Sequence, residues 1–244
     1  MPVLTGGRTL YGLALGMMMM DTKFPRVVGD IGNAATWPFP VMYRVVRGAV
    51  PDRLAQADPD VSLLEPFIET ARQLEADGVR AILTSCGFLA IHQPELAAAV
   101  SVPVFASSLL QVPLAAQAIR PDQVVAILTA RDVLTERHYE GAGWSSQDVP
   151  VVQLAPPADG HFSRTFVGDG PDADPELIDA DVAEFARRAV RDHPNIGAIV
   201  LECANFAPFA PTVRRTTGVP VFDLYTLGTL AYLTTADTEF PRRL

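Results

Sequence analysis

The two cysteines of the chain, Cys86 and Cys203, occupy equivalent places in the similar segments AILTSCGFLA (81–90) and AIVLECANFA (198–207). Each cysteine follows a short apolar run that predicts a buried strand, and each precedes a segment that predicts a helix. A thiol at the start of a helix lies beside unpaired backbone N–H groups, which stabilise a thiolate and lower the pKa of the thiol. Two such thiols on opposite sides of one substrate could move protons at carbon, one as a base and the other as an acid.

The two segments belong to a longer internal repeat with an offset of 117 residues, from 86 to 203. Seventeen positions after each cysteine, at Pro103 and Pro220, the chain has the same Val-Pro-Val-Phe sequence. This self-similarity predicts a duplicated α/β half and therefore two similar lobes. Ligands of parallel α/β sheets bind beyond the carboxyl ends of the strands, where both cysteines lie. We therefore expect the two thiols to face each other across a cleft.

Short runs of Val, Ile and Leu alternate with longer amphipathic segments along the chain. The apolar runs predict parallel strands buried on both faces, at 13–20, 79–83, 102–106, 124–129, 151–154, 198–201 and 219–223. Segments 62–78 and 181–192 repeat apolar side chains with a helical period. The alternation predicts an α/β fold of two pseudo-symmetric Rossmann-like (flavodoxin-like) lobes, with parallel sheets and the active site in the cleft between them. We assign residues 1–118 plus 219–244 to the first lobe and residues 119–218 to the second.

Two segments rich in Gly and Pro, 21–60 and 155–175, show no clear period, and we interpret them as irregular loops. Loops of this length in a compact domain are more often functional lids than spacers. The apolar run at 10–21 is shorter than the ~20 residues of a membrane span. Because Asp21 and Lys23 follow it in place of a small-residue cleavage site, we interpret it as a buried first strand and expect a cytoplasmic protein.

The composition excludes several classes of partner and cofactor. The formal net charge is −9, whereas nucleic acids and anionic membranes bind basic surfaces, so we expect neither as a partner. The four histidines and two cysteines lack the spacing of metal ligands. The chain also lacks the glycine-rich phosphate loops of nucleotide-binding proteins. We therefore predict no metal and no organic cofactor.

On the sequences TSCGF and LECAN, each at the end of a predicted strand, and on their symmetric placement, the chain resembles the aspartate/glutamate racemase superfamily. That superfamily includes amino-acid racemases, hydantoin racemases, maleate isomerases, arylmalonate decarboxylases and a group of algal dimethylsulfoniopropionate lyases. The segment GDIGNAATWPFPVMYRVVRGA (29–49) resembles a branch that is usually labelled only by the family name. The resemblance implies cofactor-independent proton transfer by two opposed thiols at a carbon next to a carboxylate.

By position, the resemblance identifies Cys86 and Cys203 as the catalytic thiols. It also identifies substrate-binding residues that follow each cysteine or end the first strand of the second lobe: Gly87, Phe88, Thr129, Ala204 and Asn205. Asn33 is a further candidate for substrate contact, with a role in a turn as the alternative, and we expect Asp30 to be a turn or cap residue. The sequence leaves open whether four residues near the Pro-rich loop reach the site: Trp37, Tyr43, Arg44 and Arg47.

The chain departs from the glutamate racemases beside both cysteines. Those enzymes have Cys-Asn-Thr and Cys-Thr-His where this chain has Cys-Gly-Phe and Cys-Ala-Asn, so free glutamate is not the substrate we expect. The decarboxylase branch keeps a single cysteine, so the presence of two disfavours decarboxylation. Glu202 directly precedes Cys203 and would oppose its ionisation, which makes Cys86 the thiol that we expect to ionise first.

Three functions follow from this interpretation, in decreasing order of preference. The first is a racemase or isomerase of a small carboxylate, working as a homo-oligomer. The second is a lyase, in which a cysteine removes an α-proton and a β-substituent leaves. A sulfonium leaving group would suit the aromatic TWPFP loop through cation–π attraction. The third is a protein that binds small acids without turnover.

Overall fold

The structure is a computed structural model that describes residues 6–236. The first half contains β1 (Leu15–Met20), β2 (Val41–Val46), α1 (Pro51–Leu54), α2 (Leu64–Asp77), β3 (Ala81–Thr84), α3 (Gln93–Ala98), β4 (Val104–Phe105) and α4 (Val112–Ala118). The second half contains β5 (Val124–Leu128), α5 (Glu136–Gly141), β6 (Val151–Leu154), α6 (Pro175–Asp192), β7 (Ile196–Leu201), α7 (Ala210–Thr217), β8 (Val221–Phe222) and α8 (Leu224–Thr235). The ends of the predicted first lobe, residues 1–5 and 237–244, lie outside the described residues.

The strands form two four-stranded sheets with the same topology. The first sheet has the order β2-β1-β3-β4, and the second has the order β6-β5-β7-β8. All pairs are parallel. The central strands β1, β3, β5 and β7 are almost entirely buried, as their continuous apolar sequences predict. The predicted α/β fold of two pseudo-symmetric parallel sheets is confirmed.

The two halves exchange their last helices. Helix α4 follows β4 of the first sheet and packs against β7 and β5 of the second sheet. Helix α8 follows β8, which pairs with β7 in the second sheet, yet α8 packs against the strands of the first sheet. The predicted division placed β8 and α8 together in the first lobe. The structure differs for β8, because the Val-Pro-Val-Phe strand completes the sheet of its own half, and only the helix after it crosses over.

One strand lies inside a segment that we predicted to be irregular. Strand β2 has the sequence VMYRVV and pairs along its whole length with β1. It is an edge strand and is only partly buried, so it carries Tyr43 and Arg44 in place of a continuous apolar run. Its sequence therefore lacks the continuous apolar run by which the other strands were predicted. The second Gly- and Pro-rich segment is irregular as predicted, apart from a π-helical turn at Ser163–Val167.

Side chains of each half also reach into the core of the other half. One apolar cluster contains Ile82 of the first sheet and Val200 of the second, so the core runs continuously between the sheets. Phe24, from the loop after β1, packs in the cluster of the second half, with its ring edge-on to Phe166 at a centroid distance of 5.1 Å. The indole N–H of Trp144 donates a hydrogen bond of 3.0 Å to the backbone carbonyl of Leu109 in the first half.

No helix among residues 6–236 combines the length and the apolar character that crossing a membrane requires.

Replacement of Phe24 by Ala tests how strongly the loop after β1 ties the halves together. Phe24 is 4% exposed, and truncation of a buried Phe leaves a cavity, so we expect Phe24→Ala to lower the free energy of unfolding by about 3–5 kcal/mol. Urea denaturation followed by circular dichroism measures this change. Val28→Ala in the same loop, where the side chain is 66% exposed, should change stability by less than about 0.5 kcal/mol. Equal effects of the two substitutions would contradict this role of Phe24.

Candidate active site

Cys86 lies at the carboxyl end of β3 and opens a six-residue 3-10 helix, Gly87–His92. The hydroxyl of Thr84 donates a 2.6 Å hydrogen bond to the carbonyl of Ala106, and the backbone N–H of Cys86 donates to that hydroxyl at 3.4 Å. The loop is therefore anchored to the strand end beside it. The backbone N–H groups of Phe88 and Leu89, at the start of this helix, favour the thiolate form of Cys86 and act to lower its pKa.

Cys203 occupies the equivalent place at the end of β7 and opens a second six-residue 3-10 helix, Ala204–Phe209. The backbone N–H of Asn205, at the start of this helix, favours the thiolate form of Cys203 and acts to lower its pKa. Asn205 corresponds to Phe88 in the repeat, so the second residue after each cysteine supplies this donor. The hydroxyl of Ser108, from the first half, donates a 2.6 Å hydrogen bond to the carbonyl of Leu201. The first half thereby fixes the approach to the second cysteine.

The two thiols lie close enough for the charge of one to act on the other. A negative charge on Cys86 raises the pKa of Cys203. Both cysteines are unpaired thiols, and Cys86 is buried with 6% of its surface exposed, while Cys203 is partly buried. The structure therefore brings the loops of the two predicted thiols into contact at the carboxyl ends of the central strands, where a Cβ on Gly87 would lie 2.2 Å from Oε1 of Glu202.

Burial dominates the ionisation of both thiols. It raises the pKa of Cys86 to about 12, with a further upward contribution from the charge of Glu202. Burial also raises the pKa of Cys203 well above its ordinary value, and Glu202, Cys86 and Asp30 add to that rise. We predicted lowered pKa values from helix N-termini. In this closed site the loss of hydration outweighs the few N–H groups, so the net direction is upward.

Glu202 lies between the two cysteine loops and is 1% exposed. Its Oε2 accepts a 2.7 Å hydrogen bond from the hydroxyl of Thr129, and the backbone N–H of Ala130 also favours the charged form of the carboxylate. Its Oε1 is buried and has no hydrogen-bond partner within residues 6–236. Burial raises the pKa of Glu202 to about 7, although Thr129 and Ala130 act to lower it. The predicted ligand-binding residue Thr129 thus contacts Glu202.

Asp30 is a second buried carboxylate of the site, and the sequence assigned it only to a turn. It is 1% exposed, and its Oδ1 binds the guanidinium of Arg26 and the backbone N–H of Gly32, both at 2.7 Å. Its Oδ2 is buried without a partner within the described residues. The charge of Asp30 raises the pKa of Cys203, so the loop after β1 borders that thiol. The GDIGN sequence (29–33), in the loop after the first strand, was the available signal.

Other residues of the loop after β1 hold it in place. Asn33 accepts a hydrogen bond from the N–H of Ala35 and donates one to the carbonyl of Arg26, both at 2.9 Å, so its side chain caps the local turn. The indole of Trp37 and the hydroxyl of Tyr43 both donate 3.0 Å hydrogen bonds to the carbonyl of Ile31, beside Asp30.

The two candidate arginines of this region point to carboxylates elsewhere. Arg44 pairs with Asp77 of α2, and Arg47, whose side chain is 82% exposed, pairs with Asp21 at 3.2 Å.

The residues that follow the two cysteines are all buried but differ in their contacts. Gly87, Phe88, Ala204 and Asn205 are all buried. Phe88 packs edge-on against the ring of His138 at a centroid distance of 5.6 Å. Asn205 makes no side-chain hydrogen bond with any residue of the part that the structure describes, so its amide is free for a ligand. Between residues 6 and 236, no group of three or more His, Cys, Asp and Glu side chains could hold a metal ion.

Comparison with known proteins gives relatives in sequence and in fold. The chain is 28% identical over 217 residues to a dimethylsulfoniopropionate lyase of Durusdinium sp. clade D, covering 86% of this chain and 71% of that protein. It is 29% identical over 220 residues to dimethylsulfoniopropionate lyase 6 of Emiliania huxleyi (strain CCMP1516), covering 87% of this chain and 57% of that protein. The chain thus spans a little over half the length of the second relative.

Solved structures with the same fold include a glutamate racemase of Bacillus anthracis, with a TM-score of 0.60 at 16% identity over 91% of this chain and 80% of that chain. An unliganded arylmalonate decarboxylase has a TM-score of 0.58 at 17% identity, over 95% of this chain and 96% of that chain. The family model described as Asp/Glu/Hydantoin racemase matches residues 50–230, which include both cysteine loops. This chain therefore belongs to the Asp/Glu/hydantoin racemase family of enzymes.

Proposed function

We propose that the protein is a cofactor-independent racemase or isomerase that moves a proton at the carbon next to the carboxylate of a small acid. The observation that carries this proposal is the contact between two cysteine loops at equivalent strand ends, where a Cβ on Gly87, next to Cys86, would lie 2.2 Å from the carboxylate of Glu202, next to Cys203. A base on one face of a carbon and an acid on the other invert its configuration. No other residue type in the site provides such a symmetric pair.

Cys86 is the thiol that removes the proton from the preferred enantiomer. The carboxylate of Glu202 opposes ionisation of both thiols, so the expectation that it acts on Cys203 alone was wrong. Cys203 is in addition opposed by Cys86 and Asp30, so Cys86 remains the more easily ionised of the two. The Cα–H bond breaks as the S–H bond of Cys86 forms. Cys203 then gives its proton to the opposite face.

The site also offers groups for the substrate carboxylate. The electron pair left by the proton spreads onto the carboxylate oxygens, and N–H donors that meet those oxygens stabilise the transition state. The backbone N–H groups of Phe88 and Asn205 lie at the two thiols. The free side-chain amide of Asn205 is a further donor.

A lyase is the second candidate, and two observations favour it. The sequence relatives above are dimethylsulfoniopropionate lyases at 28–29% identity. The site also holds two buried carboxylates, Asp30 and Glu202, each with an oxygen that has no partner within residues 6–236. Buried negative charge suits a substrate that carries a cationic leaving group. In this reaction Cys86 removes the α-proton, the electron pair forms the double bond, and the β-sulfonium group leaves as a neutral sulfide.

The aromatic loop is not the cation site that we considered for such a substrate. The Trp37 ring is 6% exposed and stacks on Tyr225 of α8 at 5.1 Å. It also lies so close to Gly228 that a Cβ there would come within 2.5 Å of the ring. Trp37 is therefore part of the packing between the loop and α8.

Single replacements of the cysteines test the roles of the two thiols. In D₂O, Cys86→Ala should stop deuterium exchange at the α-carbon of the preferred enantiomer. Cys203→Ala should abolish inversion but leave slow exchange on the Cys86 face, because one thiolate can still remove and return a proton. Proton NMR with chiral chromatography follows both outcomes, and circular dichroism checks that each variant is folded. Near-normal rates in both variants would exclude the two-thiol mechanism.

A panel of small carboxylates separates the two reactions. We expect hydroxy, amino and aryl acids to exchange the α-proton and racemise if the protein is an isomerase. With dimethylsulfoniopropionate, a lyase should release dimethyl sulfide and acrylate, which gas chromatography and NMR detect. The amounts of exchange, inversion and elimination identify the reaction class. Carboxylate binding in calorimetry without any of the three would show that the protein only binds acids.

Dialysis against a chelator tests cofactor independence. We expect the activity found in the panel to be unchanged within about twofold after dialysis against EDTA, because proton transfer is assigned to thiols. Iodoacetamide should inactivate the enzyme, and a bound small carboxylate should protect it. Loss of activity that added metal restores would overturn this assignment.

A further inference from the structure

Only one of the two carboxylate oxygens of Glu202 has a hydrogen-bond partner among the described residues. Its Oε2 accepts a hydrogen bond from the hydroxyl of Thr129. Its Oε1 is buried and lacks a hydrogen-bond partner within the described part of the chain. A buried carboxylate oxygen without a donor is unfavourable, because it has lost its water and gained nothing in return. Its presence beside two thiols suggests that Oε1 is kept free to take a proton.

Gly87 lies directly against the carboxylate of Glu202. A Cβ built on Gly87 would lie 2.2 Å from Oε1 of Glu202 and 2.4 Å from its backbone carbonyl oxygen. Gly87 directly follows Cys86, and Glu202 directly precedes Cys203. One carboxylate therefore borders both cysteine loops, and only a residue without a side chain fits at position 87.

We propose that Glu202 is a proton-holding residue that shares one negative charge with Cys86 and Cys203. This inference deepens the proposed function and rests on it, since it concerns the same thiols. In the resting site at neutral pH the charge is on Glu202. In turnover the S–H bond of Cys86 breaks, the proton forms an O–H bond at Oε1, and sulfur keeps the electron pair. The thiolate then removes the substrate proton while Glu202 stays neutral, so Glu202 and the two thiols together never carry more than one negative charge.

The shared charge predicts an unusual pH dependence of thiol ionisation. Glu202, with a pKa of about 7, loses its proton before either thiol. Below that pH Glu202 is neutral, and the thiolate fraction rises about tenfold per pH unit. Above it, the new carboxylate raises the pKa of both thiols, so the thiolate fraction levels off.

Few other groups can produce this pattern. Tyr139 also feels the charge of Glu202, but its pKa is raised to about 12, so it stays neutral over the range of the test. Asp30 raises the pKa of Cys203, so Cys86 alone is the cleaner probe. The contacts that Glu202 makes itself, with Thr129 and Ala130, are uncharged.

The test measures alkylation of Cys86 by iodoacetamide in full-length protein carrying Cys203→Ser, between about pH 6 and pH 10. Peptide mass spectrometry gives the rate in this parent, with Glu202→Gln, and with Glu140→Gln as a control at an exposed position. We expect the Glu202→Gln and parent rates to coincide below about pH 7. Above it the parent should level off, while Glu202→Gln continues to rise and reacts about 10- to 100-fold faster near pH 9. Glu140→Gln should follow the parent.

Thr129→Val supplies a second, independent measurement. It removes the hydrogen bond that stabilises the charged form of Glu202, so the pKa of Glu202 should rise and the levelling-off should move to higher pH. A purely structural role of Glu202 would change the rate equally at every pH and leave the shape of the profile unmoved. A parent rate that rises tenfold per pH unit through pH 7–9, in parallel with Glu202→Gln, would overturn the proposal. No substrate is used, so this outcome is separate from a failure of the proposed function.

Discussion

The face-to-face placement of the two cysteine loops depends on the exchange of helices between the halves. Each half supplies one helix to the sheet of the other, with α4 on the second sheet and α8 on the first. The apolar cluster that joins the sheets stabilises the contact between the halves, because separating them would expose side chains such as Ile82 and Val200 to water. Without it, two similar α/β units would leave their strand ends, and the thiols on them, free to move apart.

Enclosure of the site sets its chemistry. Water is largely excluded from Cys86, Glu202 and Asp30, so their charges are poorly screened and act on one another. This burial makes ionisation unfavourable, and it raises the pKa of Cys86 to about 12 and the pKa of Glu202 to about 7. The benefit is that a thiolate in such a place is strongly basic towards a weakly acidic carbon. A substrate with a positive group would relieve part of the cost by entering.

The loop after β1 connects this enclosure to the rest of the fold. Phe24 packs in the core of the second half, and the N–H of Lys23 donates a 2.6 Å hydrogen bond to Asp169 of the other Gly- and Pro-rich segment. Further along, Gly29 meets Pro208 of the Cys203 loop so closely that a Cβ would lie 2.8 Å from its Cα, and its φ of 104° also favours glycine. The two long loops thus meet across the halves, and the first of them also contacts the loop that carries Cys203.

The sequence alone determined the class of fold and the equivalent strand ends at which the two cysteines lie. Continuous apolar runs record burial on both faces of a strand, and the offset of 117 residues records the duplication, so the two parallel sheets and the positions of Cys86 and Cys203 could be predicted. Only the tertiary structure decided the rest. Strand β2 escaped prediction because Tyr43 and Arg44 interrupt its apolar sequence, and its partly buried place at the sheet edge tolerates them.

The interactions among the charged groups of the site were also decided only by the tertiary structure. Nothing local in the sequence places the carboxylate of Glu202 against Gly87, more than a hundred residues away, or Asp30 beside Cys203. The direction of the thiol pKa shifts was wrong in the sequence interpretation for the same reason. Helix N-termini are local features that a sequence reveals, whereas desolvation and long-range charge depend on how the two halves close around the site.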